Sequence, residues 1–485
     1  MEKIVLIQPK SGEWEFAGIR PPDSLLSVAA VPYKKGYEIK IIDQRTDKGW
    51  KTTLKKELKD ALCVGITSMT GPQLRYALEA ARFVKENSDV TVVWGGIHGS
   101  LMPEQTIKSK YIDILVTGEG DYSFAEVVEA LEEGKGLSNI KGLYYKEKGE
   151  INNTGRRKLI AKLDELPDLP YGLIDIEKYY GFDINAGRSI TLMTSRGCPF
   201  RCAFCYNTTY YRNTWRGMSA KRTIEKIKYV VDNFGIKNIF FQDDNFCANL
   251  KRFEDIVNGI LKEKIDITWG LMGARVSSLK LMSDSLLDKA VKAGCVNVDV
   301  GIESGSERIL KLISKDNTIP EILAVNKKLA KHFYRMKYTF IMGIPTETEE
   351  ELLQSVRFAI KLCKDNPHVL PLFFVYCAYP GTSLCNLALR HGFKEPKNLE
   401  EWSEINYETA HLHYPWLDKK RIKMLKNFEF ASLFASKNND YKIKSPFFKL
   451  MARLYRPIAK LRFEKNIYQF PMEIKIIRKI SHSLE

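Results

Sequence analysis

The feature that most constrains this chain is an alternation of short apolar runs with amphipathic stretches of helical period, and it occurs twice. In the first series the apolar runs are Ile4–Ile7, Ile39–Ile42, Cys63–Ile66, Val90–Trp94 and Ile112–Val116, and stretches such as Gln73–Asn87 separate them. A parallel connection needs a crossover long enough to hold a helix, so strands spaced this way form a parallel sheet covered on both faces. This predicts a doubly wound, Rossmann-like α/β domain over 1–145. Leu143–Phe182 is less regular, carries Pro167 and Pro170, and reads as a linker over 146–183. A second series follows, with strands at Ser189–Thr194, Asn238–Gln242, Thr268–Met272, Asn297–Ile302, Tyr338–Ile341 and Leu372–Cys377. Helical patterns at Ala220–Asn233, Glu254–Lys262, Asp284–Ala293, Pro320–His332 and Glu349–Lys364 lie between them. Six strand–helix units predict an open, partial barrel of the TIM type over 184–395, followed by a basic helical region over 396–485.

A chain of 485 residues is too long for one ordinary core, which agrees with two domains and an appendage. Its 44% hydrophobic and 28% charged residues exclude a disordered chain. No apolar run is long enough to span a bilayer, and the N-terminal MEKIVLIQPK lacks the pattern of a secretory signal, so a cytoplasmic location is expected. Nine cysteines, an odd number, argue against a disulfide framework. Only three of them cluster.

On sheets of the first kind, ligands bind at the carboxyl ends of the strands. Those ends carry Gln8–Pro9, Asp43–Arg45, Thr67–Gly71, Gly95–Gly99 and Gly118–Asp121. Thr67, Ser68, Gly95, Gly96, Gly118 and Gly120 are candidate contacts, because small residues let backbone approach a bulky ligand closely, and His98 and Glu119 are candidates within the same turns. Any one of these loops also serves as a plain strand-to-helix turn; five of one type point to a ligand site.

Directly after the first barrel strand the chain reads Ser195-Arg196-Gly197-Cys198-Pro199-Phe200-Arg201-Cys202-Ala203-Phe204-Cys205-Tyr206. Three thiolates spaced C-x3-C-x2-C can ligate three irons of a cubane [4Fe-4S] cluster and leave the fourth iron open. A tetrahedral zinc site needs a fourth Cys or His, and the next cysteine, Cys247, lies about forty residues on. A zinc site completed from elsewhere in the chain stays open at this level.

This spacing, at the end of the first strand of a six-unit barrel, resembles the radical S-adenosylmethionine superfamily. The resemblance spans Ser189 to about Arg390. It implies that Cys198, Cys202 and Cys205 hold the cluster and that the open iron chelates S-adenosylmethionine. Electron transfer would then cleave the cofactor to a 5′-deoxyadenosyl radical while the protein positions reactants and excludes water. Phe240-Phe241-Gln242-Asp243-Asp244-Asn245-Phe246 ends the second strand, where the family places polar groups near the cofactor's amino group. Gln242 and Asp243 are carried over on that ground, and Tyr206, next to Cys205, is a further candidate cofactor contact. Gly273-Ala274-Arg275 ends the third strand, where a basic residue meets the carboxylate. Gly301-Ile302-Glu303-Ser304-Gly305-Ser306 ends the fourth and resembles the family's G-I-E-S-G-S segment, which implicates Glu303 and Ser304. Gly343-Ile344-Pro345-Thr346-Glu347-Thr348 follows the fifth and resembles the G-x-P-x-E-T turn near the adenine, which implicates Gly343 and Pro345. Read from residue type alone, a Glu after a strand also favours a helix N-terminus, Asp243 and Asp244 also cap a helix, and Arg275 also pairs with either.

The first domain is similar to that of the subfamily with a cobalamin (B12)-binding domain, over roughly Met1–Lys135. The shared segments are Pro21-Pro22-Asp23-Ser24-Leu25-Leu26-Ser27-Val28-Ala29-Ala30, Gly95-Gly96-Ile97-His98 and Gly118-Glu119-Gly120-Asp121. One departure stands out: where many cobalamin enzymes carry D-x-H-x-x-G, this chain has Asp43-Gln44-Arg45-Thr46-Asp47-Lys48. Subfamily members without that His bind cobalamin with no protein ligand below the metal, or keep the fold without the cofactor. The resemblance implies an anaerobic enzyme that methylates or cyclises an unactivated carbon of a small or lipid-like substrate. It also implies an electron donor such as ferredoxin or flavodoxin; Tyr206, Tyr376 and Tyr379 are candidates to line the substrate space, a position where aromatic residues as often serve packing. Two alternatives are a radical enzyme whose first domain binds no cobalamin, and a non-enzymatic, membrane-associated iron–sulfur binding protein.

Half of the net charge of +16 lies in Tyr441–Glu485, where eleven Lys or Arg face three Glu. Pro446–Arg456, Ile458–Phe463 and Ile474–Ile480 interleave apolar and basic residues at helical spacing. Such a segment suits a helix on the anionic inner face of a membrane, and equally a helix docked on the barrel. Nucleic acid is not expected as a partner, since no recognisable module accompanies the charge.

Overall fold

The computed structural model describes residues 3–12, 19–179, 187–333, 335–406, 409–434, 446–465 and 467. Strands β1 (Lys3–Gln8), β2 (Glu38–Asp43), β3 (Ala61–Thr67), β4 (Thr91–Gly95) and β5 (Ile114–Val116) form a parallel sheet in the order β2-β1-β3-β4-β5. The five apolar runs are buried in it, as continuous hydrophobic strands covered on both faces should be.

The sheet extends further than the sequence reading allowed. Strands β6 (Leu143–Glu147) and β7 (Glu150–Asn153) form an antiparallel hairpin that pairs with β5. The expected linker therefore begins about eight residues late, after Asn153, and its stretch 180–186 lies outside the described residues. Two physical reasons account for the hairpin. Leu143 and Tyr145 alternate inward with a period of two, and the three-residue β5 would otherwise present an open edge.

The second sheet holds β8 (Ser189–Leu192), β11 (Asn238–Phe241), β12 (Thr268–Ala274), β13 (Cys295–Glu303), β14 (Met336–Met342) and β15 (Val369–Val375). Its order is β15-β14-β13-β12-β11-β8 and every pair is parallel. β8 and β15 are the two edges, so the barrel is open, as six units predict. A two-residue antiparallel pair, β9 (Ser195–Arg196) with β10 (Arg216–Gly217), brackets the cysteine loop. Crossover helices such as Ala220–Phe234 and Glu349–Asp365 match the predicted stretches. Capping boxes, Thr318 with Glu321 and Thr348 with Glu351, start two of the helices by satisfying free N–H groups reciprocally.

The open edge is covered from the C-terminal side. Helix Lys419–Phe434 lies along β15, and helix Pro446–Lys465 packs on it and on Glu349–Asp365. Phe463 is buried between the rings of Phe373 and Phe428, at 5.5 and 5.9 Å. This last helix is therefore docked on the barrel. Its outer face leaves Leu450, Met451, Leu454, Ile458 and Leu461 between 44% and 62% exposed. Ile474–Ile480 lies outside the described residues. Among the described residues no helix is long and apolar enough to cross a membrane.

Candidate active site

The cysteine loop leaves the carboxyl end of β8 through Gly197, which has φ +81°. A Cβ at this position would lie 2.1 Å from the Thr214 carbonyl oxygen, so only glycine fits beside Cys198. The end of β11 then frames the loop. Asp243 accepts the Thr194 N–H at 2.6 Å, the Thr194 hydroxyl, and the Ser195 N–H. Arg252 donates to the carbonyls of Met218 (2.6 Å) and Thr194 (3.1 Å) from the other side. Asp244 accepts from the Gly197 N–H and the Tyr206 hydroxyl, both at 2.9 Å. The Asn245 amide approaches Cys198 Sγ at 3.6 Å, and Arg275 Nη1 donates to Cys202 Sγ at 2.8 Å.

This arrangement revises the roles read from the sequence. Asp243, expected at the amino group of S-adenosylmethionine, and Tyr206, expected as a cofactor contact, both have polar atoms engaged in shaping the loop. A buried carboxylate needs such partners, and the loop's own donors supply them. Burial, opposed by Arg252, raises the Asp243 carboxyl to about 6. Gln242 is half-buried, with its backbone N–H held by the Leu192 carbonyl.

The donor set fits an iron–sulfur cluster. Burial pushes the Cys205 thiol up to about 12 and the Cys198 thiol upward as well, so stable thiolates here need positive charge close by, which metal coordination provides. Among the described residues no three Cys, His, Asp or Glu side chains converge on one point as a single zinc ion demands.

Two non-glycine residues at the barrel rim have left-handed backbones, Glu303 (φ +72°) and Thr346 (φ +70°). Such strain is held where the surrounding structure over-determines it, and it clusters at ligand sites. Glu303 is buried and pairs with Lys315 at 2.9 Å, with the Thr339 hydroxyl at 3.3 Å. Ser304 bonds Ser355 and the Ser306 N–H, so it caps a turn. Gly343 donates to Glu347 at 2.6 Å, its carbonyl accepts from Trp416 Nε1 at 3.0 Å, and Pro345 is buried beside it. Tyr376 is buried with its hydroxyl unpartnered, stacked on Tyr414, which stacks on Trp416 at 4.5 Å.

In the first domain several candidate contacts turn inward. Ser68 donates to the Gly95 carbonyl and accepts from Trp94 Nε1. Gly96, at φ +97°, lets its backbone pass the Ser68 carbonyl where a Cβ would stand 2.4 Å away. His98 is fully buried: its Nδ1 meets Thr70 Oγ1 at 2.9 Å and its ring lies edge-on to Trp402. Burial lowers it to about 3, so it is neutral and enclosed beneath the rim. Thr67 is half-buried at the end of β3, and Gly120 starts the helix Gly120–Glu132 against Val28. A side chain at Gly118 would meet no atom within 4 Å, so this turn faces open space.

Glu119 has a different task from the one expected. Its oxygens accept from Arg216 at 2.8 and 2.9 Å, from Arg196 at 3.2 Å and from the Ile160 N–H at 2.7 Å. Arg196 also grips Asp121 with two bonds, 2.8 and 2.9 Å, and Tyr210 donates to the Gly118 carbonyl at 2.7 Å. The Gly118–Asp121 turn is thus bolted to the two arms of the cysteine loop. Burial opposes ionisation of Asp121, but the Arg196 guanidinium outweighs it and holds the carboxyl below its usual value. Sequence reasoning missed Arg196, Arg216, Asp121, Asn245 and Lys315 as members of the site. The one available signal was the position of Arg196, two residues before Cys198.

The Radical SAM superfamily matches residues 192–359, and the B12 binding domain matches residues 15–128. An uncharacterized methyltransferase of Pyrococcus horikoshii is 35% identical over 411 residues, covering 83% of this chain and 87% of that protein. The anaerobic magnesium-protoporphyrin IX monomethyl ester cyclase of Rubrivivax gelatinosus is 28% identical, covering 74% of this chain and 65% of that enzyme. Among solved structures, the cobalamin-dependent S-adenosylmethionine radical enzyme OxsB superposes with a TM-score of 0.74 at 17% identity, covering 96% of this chain and 72% of that one. The radical S-adenosylmethionine methyltransferase TsrM of Kitasatospora setae gives 0.68 at 17% identity, covering 81% and 76%. At such identity the two structures show a shared fold. The matched families, the extended similarity to the Pyrococcus protein and the framed cysteine loop together place the chain in the radical S-adenosylmethionine superfamily, within the group that carries a B12-binding domain.

Proposed function

We propose that the chain holds a [4Fe-4S] cluster on Cys198, Cys202 and Cys205, binds S-adenosylmethionine at the barrel rim and cobalamin at the rim of the first domain. With them it methylates, or closes a ring on, an unactivated carbon of a small or lipid-like substrate. The observation that carries this reading is the junction of the two ligand-binding ends. Asp121 and Glu119 grip Arg196 and Arg216, so the rim of one sheet meets the cysteine loop of the other. When bound, these cofactors supply the electron, the radical and the methyl group. The chain's own residues shape the loop (Asp243, Asp244), hold the barrel rim (Glu303, Lys315) and wall the substrate space with Tyr376, Tyr414 and Trp416. Methyl transfer ranks first because the relative matched over most of both chains is named a methyltransferase. The apolar ridge of helix Pro446–Lys465, with Lys460 and Lys465 beside it, supports contact with an anionic bilayer and hence a lipid-like substrate.

The test is anaerobic reconstitution with iron, sulfide and a corrinoid, followed by S-adenosylmethionine and a strong reductant. Release of 5′-deoxyadenosine by the wild type, and none by the Cys198→Ala/Cys202→Ala/Cys205→Ala variant, is expected. A corrinoid that washes off completely would remove cobalamin from the reading. An intact cluster without cofactor cleavage, with or without candidate substrates, would overturn the radical reaction.

A further inference from the structure

Arg275 follows β12 and starts the short helix Val276–Leu281, which places its side chain under the cysteine loop. The residue is 5% exposed, and its guanidinium lies over the Phe200 ring at 3.8 Å and donates to Cys202 Sγ at 2.8 Å. Among the described residues its acidic neighbour is Asp316, which is 4.0 Å away and largely exposed, so that charge is screened by water. A buried cation therefore faces the Cys202 sulfur with little compensation from protein carboxylates. Asn245, also fully buried, turns its amide toward Cys198 Sγ. Two of the three cluster cysteines thus have a built N–H donor, and one of these donors carries a full charge.

We propose that Arg275 is a positioning residue that sets the reduction potential of the cluster, and that it does so through Cys202 rather than only by binding the cofactor's carboxylate. This rests on the cluster assignment above. Reduction adds negative charge to a cluster. A nearby cation and N–H···S bonds stabilise that charge more than they stabilise the oxidised form, so both raise the potential. Phe200 holds the guanidinium plane through stacking, which an ammonium group does not reproduce. The potential should therefore be highest in the wild type, lower in the charge-conserving Arg275→Lys variant and lowest in Arg275→Gln, which carries no charge.

The experiment is a redox titration of the reconstituted cluster, followed by electron paramagnetic resonance, in the absence of S-adenosylmethionine. Working without that cofactor separates tuning from carboxylate binding. Wild type, Arg275→Lys and Arg275→Gln are compared at matched iron and sulfide content. At a fixed potential the reduced-to-oxidised ratio should fall at least tenfold in Arg275→Gln, equal to a one-electron shift of about 59 mV downward, and by less in Arg275→Lys. Equal potentials in all three loaded proteins would overturn the inference while leaving the cluster assignment intact. Absence of a cluster from the wild type would instead defeat the assignment itself. If Arg275→Gln cannot be loaded, Arg275→Lys decides: an unchanged potential together with an unchanged signal shape in Phe200→Leu, which loosens the same guanidinium, counts against the proposal.

Discussion

Replacing Asp121 by asparagine removes one charge from a buried pair while keeping the size of the side chain. In the native protein Asp121 and Arg196 make two parallel bonds, with side chains only 4% and 14% exposed, and Ser27 donates a further bond to the same carboxylate at 2.6 Å. Removing one partner of a buried ion pair costs about 3–5 kcal/mol, because the remaining charge loses its compensation. Arg196 keeps Glu119 at 3.2 Å, which puts the expected loss at the low end, about 3 kcal/mol. With a urea dependence of about 3 kcal/mol per molar, the unfolding midpoint should drop by about 1 M. The double change Arg196→Met/Asp121→Leu should lose less than either single change, since no unpaired charge is left behind. The pH dependence has a definite sign. The folded carboxyl titrates below its unfolded value, so its stabilisation is present above that unfolded value and disappears as pH falls through the folded one. The deficit of Asp121→Asn should therefore be full at about pH 7 and shrink in strong acid. Urea unfolding monitored by tryptophan fluorescence reads all three outcomes. A loss under about 1 kcal/mol for the single variant, or additive losses in the double, would refute the reasoning.

Two other perturbations follow from the same structure. Burial raises the Glu347 carboxyl to about 7, above its unfolded value, so the wild type should lose most of about 3 kcal/mol as pH rises from about 5 to about 8. Glu347→Gln keeps an acceptor for the Gly343 N–H and should abolish that slope; parallel slopes in thermal melts of the two proteins would contradict it. On the docked helix, Leu454→Glu/Ile458→Glu alters exposed positions and should leave the melting temperature nearly unchanged while abolishing co-sedimentation with phosphatidylglycerol vesicles. Undiminished sedimentation would remove this ridge as a bilayer contact.

Much of the architecture was open to reading in one dimension because it is written in local patterns. The period of each apolar run identifies strand or helix, and eleven of the main strands sit where those runs predict. Three thiolates within eight residues are likewise a local pattern, and they mark the candidate cluster loop without help from the fold. The hairpin β6–β7 was missed because its strands are short and partly polar, and only the bare edge of β5 explains why they pair there.

What tertiary structure alone decided is the work done by polar groups. In the sequence Asp243 and Asp244 read as cofactor contacts or helix caps, yet they meet backbone donors some fifty residues earlier in the chain. His98 stands at the rim in the sequence as either a ligand or a structural turn residue, and burial against Trp402 makes it structural. Arg196 and Asp121 are 75 positions apart, and no periodicity links them. The physical reason is the same in each case. Whether a turn is a strand end or a helix start depends on neighbouring residues, which the sequence orders. Whether a charged group serves a ligand or another part of the protein depends on which partners are close enough to compensate its burial, and only the folded chain brings those partners together.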